Sequence, residues 1–317
     1  MPRAYKDFAE NIVAIFNSLF LIFNSLMNIL ITGCNGQLGT EMRVQSVEHK
    51  QHTYFFTDVA ELDITRREAV LAFVREHAID LIVNCAAYTN VDRAEADEPT
   101  ARLINAQAVE NLALAGTRII HISTDYVFSG EGCIPCREDD PVAPRTAYGR
   151  TKLEGEQLLQ AANPQAIIIR TAWLYSAYGN NFVKTMLRLG QERDNLGVVF
   201  DQVGTPTYAA DLATAIYAAI NAPEWHAGIY HFTNEGVCSW YDFTHEIFAQ
   251  AAPLLPADAA NKVKTCNLRP ILSSEYQYQT PRPHYSVLDK TKIKQTFGIT
   301  IPYWTDGLHR CLQLLLK

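Results

Sequence analysis

From Met27 onward, short apolar runs alternate with amphipathic stretches, and this alternation limits the fold more than any other feature. The runs are "NILIT" (28–32), "TYFFT" (53–57), "DLIVNCA" (80–86), "RIIHIS" (118–123) and "AIIIR" (166–170). Each is rich in Ile, Val or aromatic residues and nearly continuous in apolar character, which suits parallel strands buried on both faces. Helical periodicity fills the gaps at 66–77, 100–115 and 147–161. Such alternation calls for right-handed crossovers and helices on both sides of one parallel sheet. The expected fold is therefore α/β, a doubly wound parallel sheet over residues 27–175. Further on the pattern loosens, with helices expected at 181–191, 208–221, 239–251 and 303–316 and a strand at "GIYHFT" (228–233). Residues 176–317 read mainly as a smaller lobe over the carboxyl edge of the sheet, with about 206–235 returning to it.

The first 26 residues, "MPRAYKDFAENIVAIFNSLFLIFNSL", stand apart and repeat the word "IFNSL". Acidic Asp7 and Glu10 interrupt what would be a signal-peptide pattern, and no small-x-small cleavage site follows. The apolar run from Ile12 to Leu21 is too short and broken to span a bilayer comfortably. Residues 1–26 therefore read as an extension outside the fold, whose removal is expected to leave folding and activity unchanged, because "MNILITG" already holds the first strand. With 48% hydrophobic and 19% charged residues the chain has ample core, and a net charge of −7 gives no footing for a nucleic-acid surface. Seven cysteines at scattered positions argue against a disulfide framework and for a reducing, cytoplasmic setting. Cys133 and Cys136 form one C-x-x-C, but nothing completes a zinc site, so they read as loop thiols.

"ITGCNGQLGTEM" follows the first strand and opens a helix, with Gly33, Gly36 and Gly39 spaced G-x-x-G-x-x-G. Residues without a Cβ let backbone approach a pyrophosphate, and the helix N-terminus offers free N–H groups and a positive dipole end. Asp58, 19 residues past Gly39 at the end of the second strand, can accept hydrogen bonds from a ribose diol. The sheet is thus read as Rossmann-type, with a nicotinamide dinucleotide as cofactor. Asp58 tilts the reading toward NADH and leaves NADPH open. Asn35, Gln37 and Leu38 within the loop, and Asp63 and Ile64 after the second strand, are assigned to the same site.

"HISTDYVFSG" (121–130) ends the fourth strand, and "AYGRTKLEGEQLL" (147–159) places Tyr148 and Lys152 one helical turn apart. An isolated Tyr-x-x-x-Lys is ordinarily an exposed pair. With Thr124, the glycine loop and "NCAAYT" (84–89), the set instead resembles the short-chain dehydrogenase/reductase superfamily, in its extended members acting on nucleotide sugars. A Lys152 charge would stabilise the tyrosinate form of Tyr148 and pull its pKa down from roughly 10 toward the working pH. Tyr148 could then exchange a proton with a substrate oxygen beside hydride transfer, with Thr124 hydrogen-bonding that oxygen and Lys152 also holding the nicotinamide ribose, as in the superfamily.

"VDRAEADE" (91–98), "NAQAVENLA" (105–113), "STDYVF" (123–128), "IRTAWLY" (169–175), "DQVGTPTYAADLA" (201–213) and "RPHYSVLDKTK" (282–292) extend the likeness, which resembles the dTDP-4-dehydrorhamnose reductases from about Met27 to the C-terminus. That resemblance implies NADPH- or NADH-dependent reduction of the C4 ketone of dTDP-6-deoxy-L-lyxo-4-hexulose to dTDP-L-rhamnose, the last step in making that sugar nucleotide. It implies that Cys85, Ala86, Ala87 and Tyr88 line the nicotinamide side, and that Asp125, Tyr126, Trp173, Asn181, Gln202 and Arg282 contact the sugar nucleotide. Trp173 could equally be core and Gln202 a loop residue. Some members of the family are homodimers holding Mg²⁺ by carboxylates between subunits. Glu41, Glu192 and Asp194 are the candidate equivalents here, each just as readable as a surface charge. Departures are small: Asn90 and Cys85 stand where alanines are usual, Arg93 replaces lysine, and the "GCIPCRE" loop (132–138) carries extra cysteines. Two alternatives stay open, another nucleotide-sugar enzyme (epimerase or dehydratase) and a non-catalytic reductase-like subunit. In the dehydratases that the resemblance brings in, a Thr-Asp-Glu supplies acid and base, and here the third position is Tyr126; an NADH-oxidation assay separates the non-catalytic reading.

Overall fold

The computed structural model describes residues 26–317, so the expectation placed on the N-terminal extension falls outside them save for Leu26. Six parallel strands form the central sheet: β1 (Asn28–Thr32), β2 (Thr53–Thr57), β3 (Leu81–Asn84), β4 (Arg118–Thr124), β5 (Ile167–Thr171) and β6 (Gly228–His231). Their order is β6-β5-β4-β3-β1-β2. The chain steps outward from β1 to β2 and then crosses to β3 on the other side. A crevice therefore opens between the carboxyl ends of β1 and β3, where open α/β sheets bind ligands.

The near-continuous apolar runs follow from the layers. Ile29 and Ile31 face one core with Leu81, Val83, Ile120 and Ile169, while Leu30 faces another with Ile82, Ile119 and Ile168. Helix α1 (Gln37–Gln45) and α5 (Ala209–Ile220) cover the first face through Leu38, Met42, Leu212 and Ile216. Helix α2 (Arg67–Glu76) covers the second with Val70 and Val74. Helix α3 (Ala147–Ala162), which carries Tyr148 and Lys152, sends Leu159 into that second core as well. Helix α5 covers the sheet, and β6 pairs with β5.

The smaller lobe has its own core. Helices α4 (Phe182–Glu192), α6 (Trp240–Ala251) and α7 (Trp304–Leu315) contribute Val183, Leu187, Phe243, Ile247, Leu308 and Leu312. Beside them lies a two-stranded parallel pair, 195–199 with 267–271. Helix α6 starts in a full capping box, with the Ser239 hydroxyl accepting from Asp242 N–H and the Asp242 carboxylate accepting from Ser239 N–H.

One expected element takes a different form. The stretch 100–115 is not a single α-helix: Glu98–Arg102 and Ala108–Ala113 are α-helical, with a π-helical turn at Leu103–Gln107 between them. The cause lies across the interface. At Gly155 on α3 an added Cβ would collide with the Asn105 carbonyl oxygen, so the two backbones meet there, and the wider turn swings the Asn105 side chain into use.

Candidate active site

The glycine loop works by close approach. Gly33 has φ +63°, and a Cβ there would lie 2.7 Å from Ala86 Cα. At Gly39 a Cβ would lie 2.6 Å from Cys34 Cα, so the first turn of α1 packs directly on the loop. Gly36 is the N-cap of α1 and no side chain among the described residues caps it, which leaves the helix end open to an anion. Asp58 Oδ2 accepts from Asn35 N–H at 3.1 Å, holding a carboxylate beside the loop. These features fit a dinucleotide: a cradle that side chains would fill, an uncapped helix end and an acid at the second strand. Gly39→Ala should therefore displace the loop and weaken binding of a reduced nicotinamide dinucleotide at least tenfold, as read by fluorescence titration, with the far-ultraviolet circular dichroism retained. Unchanged affinity would show that the loop tolerates the methyl group and does not hold phosphate this way.

A cleft of about 520 Å³ runs from this loop across the carboxyl edge of the sheet. Gly36, Gln37, Leu38, Cys85 and Ala87 line one end, Thr124, Asp125, Tyr126, Tyr148 and Lys152 the middle, and Trp173 and Asn181 the far side. Thr124 ends β4, and the Thr146 hydroxyl, accepting from Gly149 N–H at 3.0 Å, starts α3 so that Tyr148 and Lys152 face it. The Thr124 hydroxyl donates to Asp125 Oδ1 at 3.0 Å and accepts from Tyr126 N–H at 3.2 Å. Burial pushes the Tyr148 phenol up to about 12, against a hydrogen bond with Thr124 that pulls it down.

The expectation of a lowered Tyr148 pKa is therefore corrected. Lys152 does not meet the phenol: Nζ donates to the Ile122 carbonyl at 2.7 Å and lies 3.3 Å from His121 Nε2. Burial pulls Lys152 itself down to about 8, partly offset by Glu156. A phenol that keeps its proton is the form that can donate one.

Burial also lifts Asp125 to about 6, with Ser286 and Thr124 hydrogen bonds opposing the rise. The folded chain thus holds a proton on Asp125 that the unfolded chain releases near pH 4. Stability falls as pH rises through the window from about 4 to 6, by about 3 kcal/mol at 1.4 kcal/mol per unit. Asp125→Asn should remove that slope and melt higher than the wild type at pH 7, with little difference at pH 4. Parallel denaturant curves for the two proteins across this range would rule the assignment out.

The remaining expected residues fall in three places. Asn181 caps α4 by accepting from Lys184 N–H and donates to Gln37 Oε1 at 3.0 Å, tying the lobe to the glycine loop. Arg282 pairs with Asp92 at 2.8 Å and, with Tyr126, lines a small hollow adjoining the cleft. Tyr88, Asp63, Ile64 and Gln202 are not brought to the cleft wall. Tyr88 packs behind Tyr148 with Ala94, Ala101 and Ala147, while its N–H and carbonyl are held by Asn105. The Asp63 carboxylate is occupied by Thr65, Ile64 is buried, and buried Gln202 donates to Ser273 at 3.0 Å. Nor are the three carboxylates proposed for Mg²⁺ gathered: Glu41 is buried and accepts from Ser176, Glu192 pairs with Arg188, and no cluster of three or more metal-ligating side chains occurs among the described residues.

Sequence reasoning missed Asn105, which also donates to Thr151 on α3 at 3.2 Å. It also missed Trp240, stacked on Trp173 at 3.4 Å with an interplanar angle of 10°. Trp173 has φ +48°, a strained conformation for a non-glycine residue, and a Cβ at Gly204 would lie 2.7 Å from its ring. The wall is held from behind. No motif announced this, because the contacts join segments far apart in sequence.

The family model described as the RmlD substrate binding domain matches residues 27–316. A dTDP-4-dehydrorhamnose reductase of Aggregatibacter actinomycetemcomitans is 41% identical over 291 residues, 89% of this chain and 97% of the relative. A crystal structure of a dTDP-4-dehydrorhamnose reductase from Clostridium acetobutylicum superposes with a TM-score of 0.85 at 44% identity, covering 92% of this chain and 100% of the other. One from Bacillus anthracis, in complex with NADP, superposes with a TM-score of 0.83 at 37% identity, covering 90% and 99%.

Proposed function

The chain belongs to the RmlD substrate binding domain family, and from that premise we propose how its cleft carries out the reduction of dTDP-4-dehydro-L-rhamnose to dTDP-L-rhamnose. The observation that carries the proposal is one cleft lined at once by the glycine loop, by Thr124, Tyr148 and Lys152, and by Trp173. The cofactor is NADPH, in keeping with the NADP complex of the Bacillus anthracis relative; when bound it supplies the hydride. Tyr148 gives its hydroxyl proton to the C4 oxygen. The Thr124 hydroxyl, between Asp125 and Tyr148, orients that oxygen. Lys152 would hold the nicotinamide ribose of the cofactor. Trp173 forms the aromatic wall for the sugar and Arg282 the cationic end toward the diphosphate.

Elimination by the superfamily's dehydratases would need a carboxylate base at the position after Asp125. The residue after Asp125 is Tyr126, whose phenol burial and Asp125 push up, so it stays protonated and cannot act as a carboxylate would. The odd, scattered cysteines support a cytoplasmic setting. Loss of NADPH absorbance on adding the 4-keto sugar nucleotide tests the reading. Consumption that depends on that substrate is expected, and its absence in folded protein would count against an enzyme altogether.

A further inference from the structure

Behind Lys152 a fully buried polar chain crosses three strands: Thr32 ends β1, Asn84 ends β3 and His121 lies on β4. Thr32 Oγ1 donates to Asn84 Oδ1 at 2.7 Å, and Ala86 N–H donates to the same oxygen at 3.1 Å. A backbone N–H can only donate, so this end of the Asn84 amide is fixed as the oxygen. Its Nδ2, which has only hydrogens to offer, then faces His121 Nδ1 at 3.0 Å. Nδ1 must present its lone pair. Burial alone holds the His121 pKa well below its ordinary value, and any charge on Lys152 lowers it further, so the ring is neutral and its one proton sits on Nε2. That N–H points at Lys152 Nζ, 3.3 Å away. An ammonium has nothing there to accept it, whereas an uncharged amine accepts from His121 and still donates to the Ile122 carbonyl.

We propose that His121 is a positioning residue whose Nε2–H, oriented by Asn84 and Thr32, favours the uncharged amine of Lys152 and so sets the pH at which that lysine gains its charge. The inference rests on the functional reading only for the role of Lys152 toward the cofactor.

The groups around Lys152 can be told apart. Tyr148 and Glu156 share its helix, Arg170 on β5 is bound to Glu156, Asp125 follows β4, and Cys85 lies beyond β3. Burial moves Asp125 to about 6 and both Tyr148 and Cys85 to about 12, while Lys152 is pulled to about 8. Of these groups Lys152 is the one expected to titrate near pH 8, so an inflection there in kcat/KM and in the Kd for NADPH is the readout for it.

Three variants decide the matter, each measured for both quantities between pH 6 and 10 after a circular-dichroism melt. His121→Leu removes the donor and should move the inflection up by about one unit, the worth of one hydrogen bond. Asn84→Asp keeps an oxygen for Thr32 and Ala86 but offers a second one to His121. That reverses the tautomer, makes Nε2 an acceptor, and should also move the inflection up. His121→Gln restores an N–H and should leave it in place. A uniform loss of rate with an unmoved inflection in the first two variants would mean that His121 only fills space and would overturn the proposal. If the wild type binds NADPH but reduces no keto sugar, the functional reading falls, and the binding arm still decides this one.

Discussion

Tyr148→Phe is expected to bind NADPH as the wild type does and to reduce the keto sugar about 10²- to 10⁴-fold more slowly. The change removes one hydroxyl and almost no volume. The Tyr148 ring packs edge-on to Tyr126 at 5.3 Å and beside Ala147, contacts a phenylalanine keeps. What it loses is the phenol proton held next to Thr124, where the proposed reaction puts the C4 oxygen. Single-turnover loss of NADPH absorbance isolates the chemical step from release of product. A Phe variant within threefold of the wild-type rate would show that another group or water delivers the proton.

Glu156→Ala should be the most damaging change to stability outside the apolar core, at about 3–5 kcal/mol. Arg170 Nε and Nη2 donate to the two Glu156 oxygens at 3.0 and 2.7 Å, with both side chains nearly inaccessible. Arg170 also lies over the Phe128 ring, and burial and Arg170 together push His231 down to about 3. Without Glu156 the guanidinium is left buried and uncompensated one turn past Lys152. At about 2–4 °C per kcal/mol the melting temperature should drop by about 10 °C. Glu156→Leu combined with Arg170→Met removes both charges and should recover most of that loss, since apolar replacements of a buried pair are often neutral. Equal destabilisation by the single and double changes would mean that packing, not the orphaned charge, sets the cost.

The parts of the molecule legible in its sequence are those governed by local pattern. Buried parallel strands must be apolar on both faces, so "NILIT" and "TYFFT" coincide with β1 and β2 to the residue. The glycine loop was readable because a strand precedes it and a helix follows. The π turn at 103–107 was not, because its cause is a backbone contact with Gly155 some fifty positions away. The same limit applies to Lys152. Spacing places it one turn from Tyr148, but which oxygen its amine meets depends on how β4 presents Ile122 and His121, and periodicity does not encode that. Trp240 reads as an ordinary apolar residue at a helix start until the stack on Trp173 is seen. Asp63 and Gln202 show the reverse: polar residues near the right motifs whose side chains are taken up by neighbours, Thr65 and Ser273.

The most direct measurement is to supply dTDP-6-deoxy-L-lyxo-4-hexulose with NADPH deuterated at the transferring position and to read the product by NMR. The account predicts dTDP-L-rhamnose carrying a single deuterium at C4 and no exchange at C3 or C5. Deuterium at another carbon, the opposite C4 configuration, or no product from folded, cofactor-binding protein would contradict it.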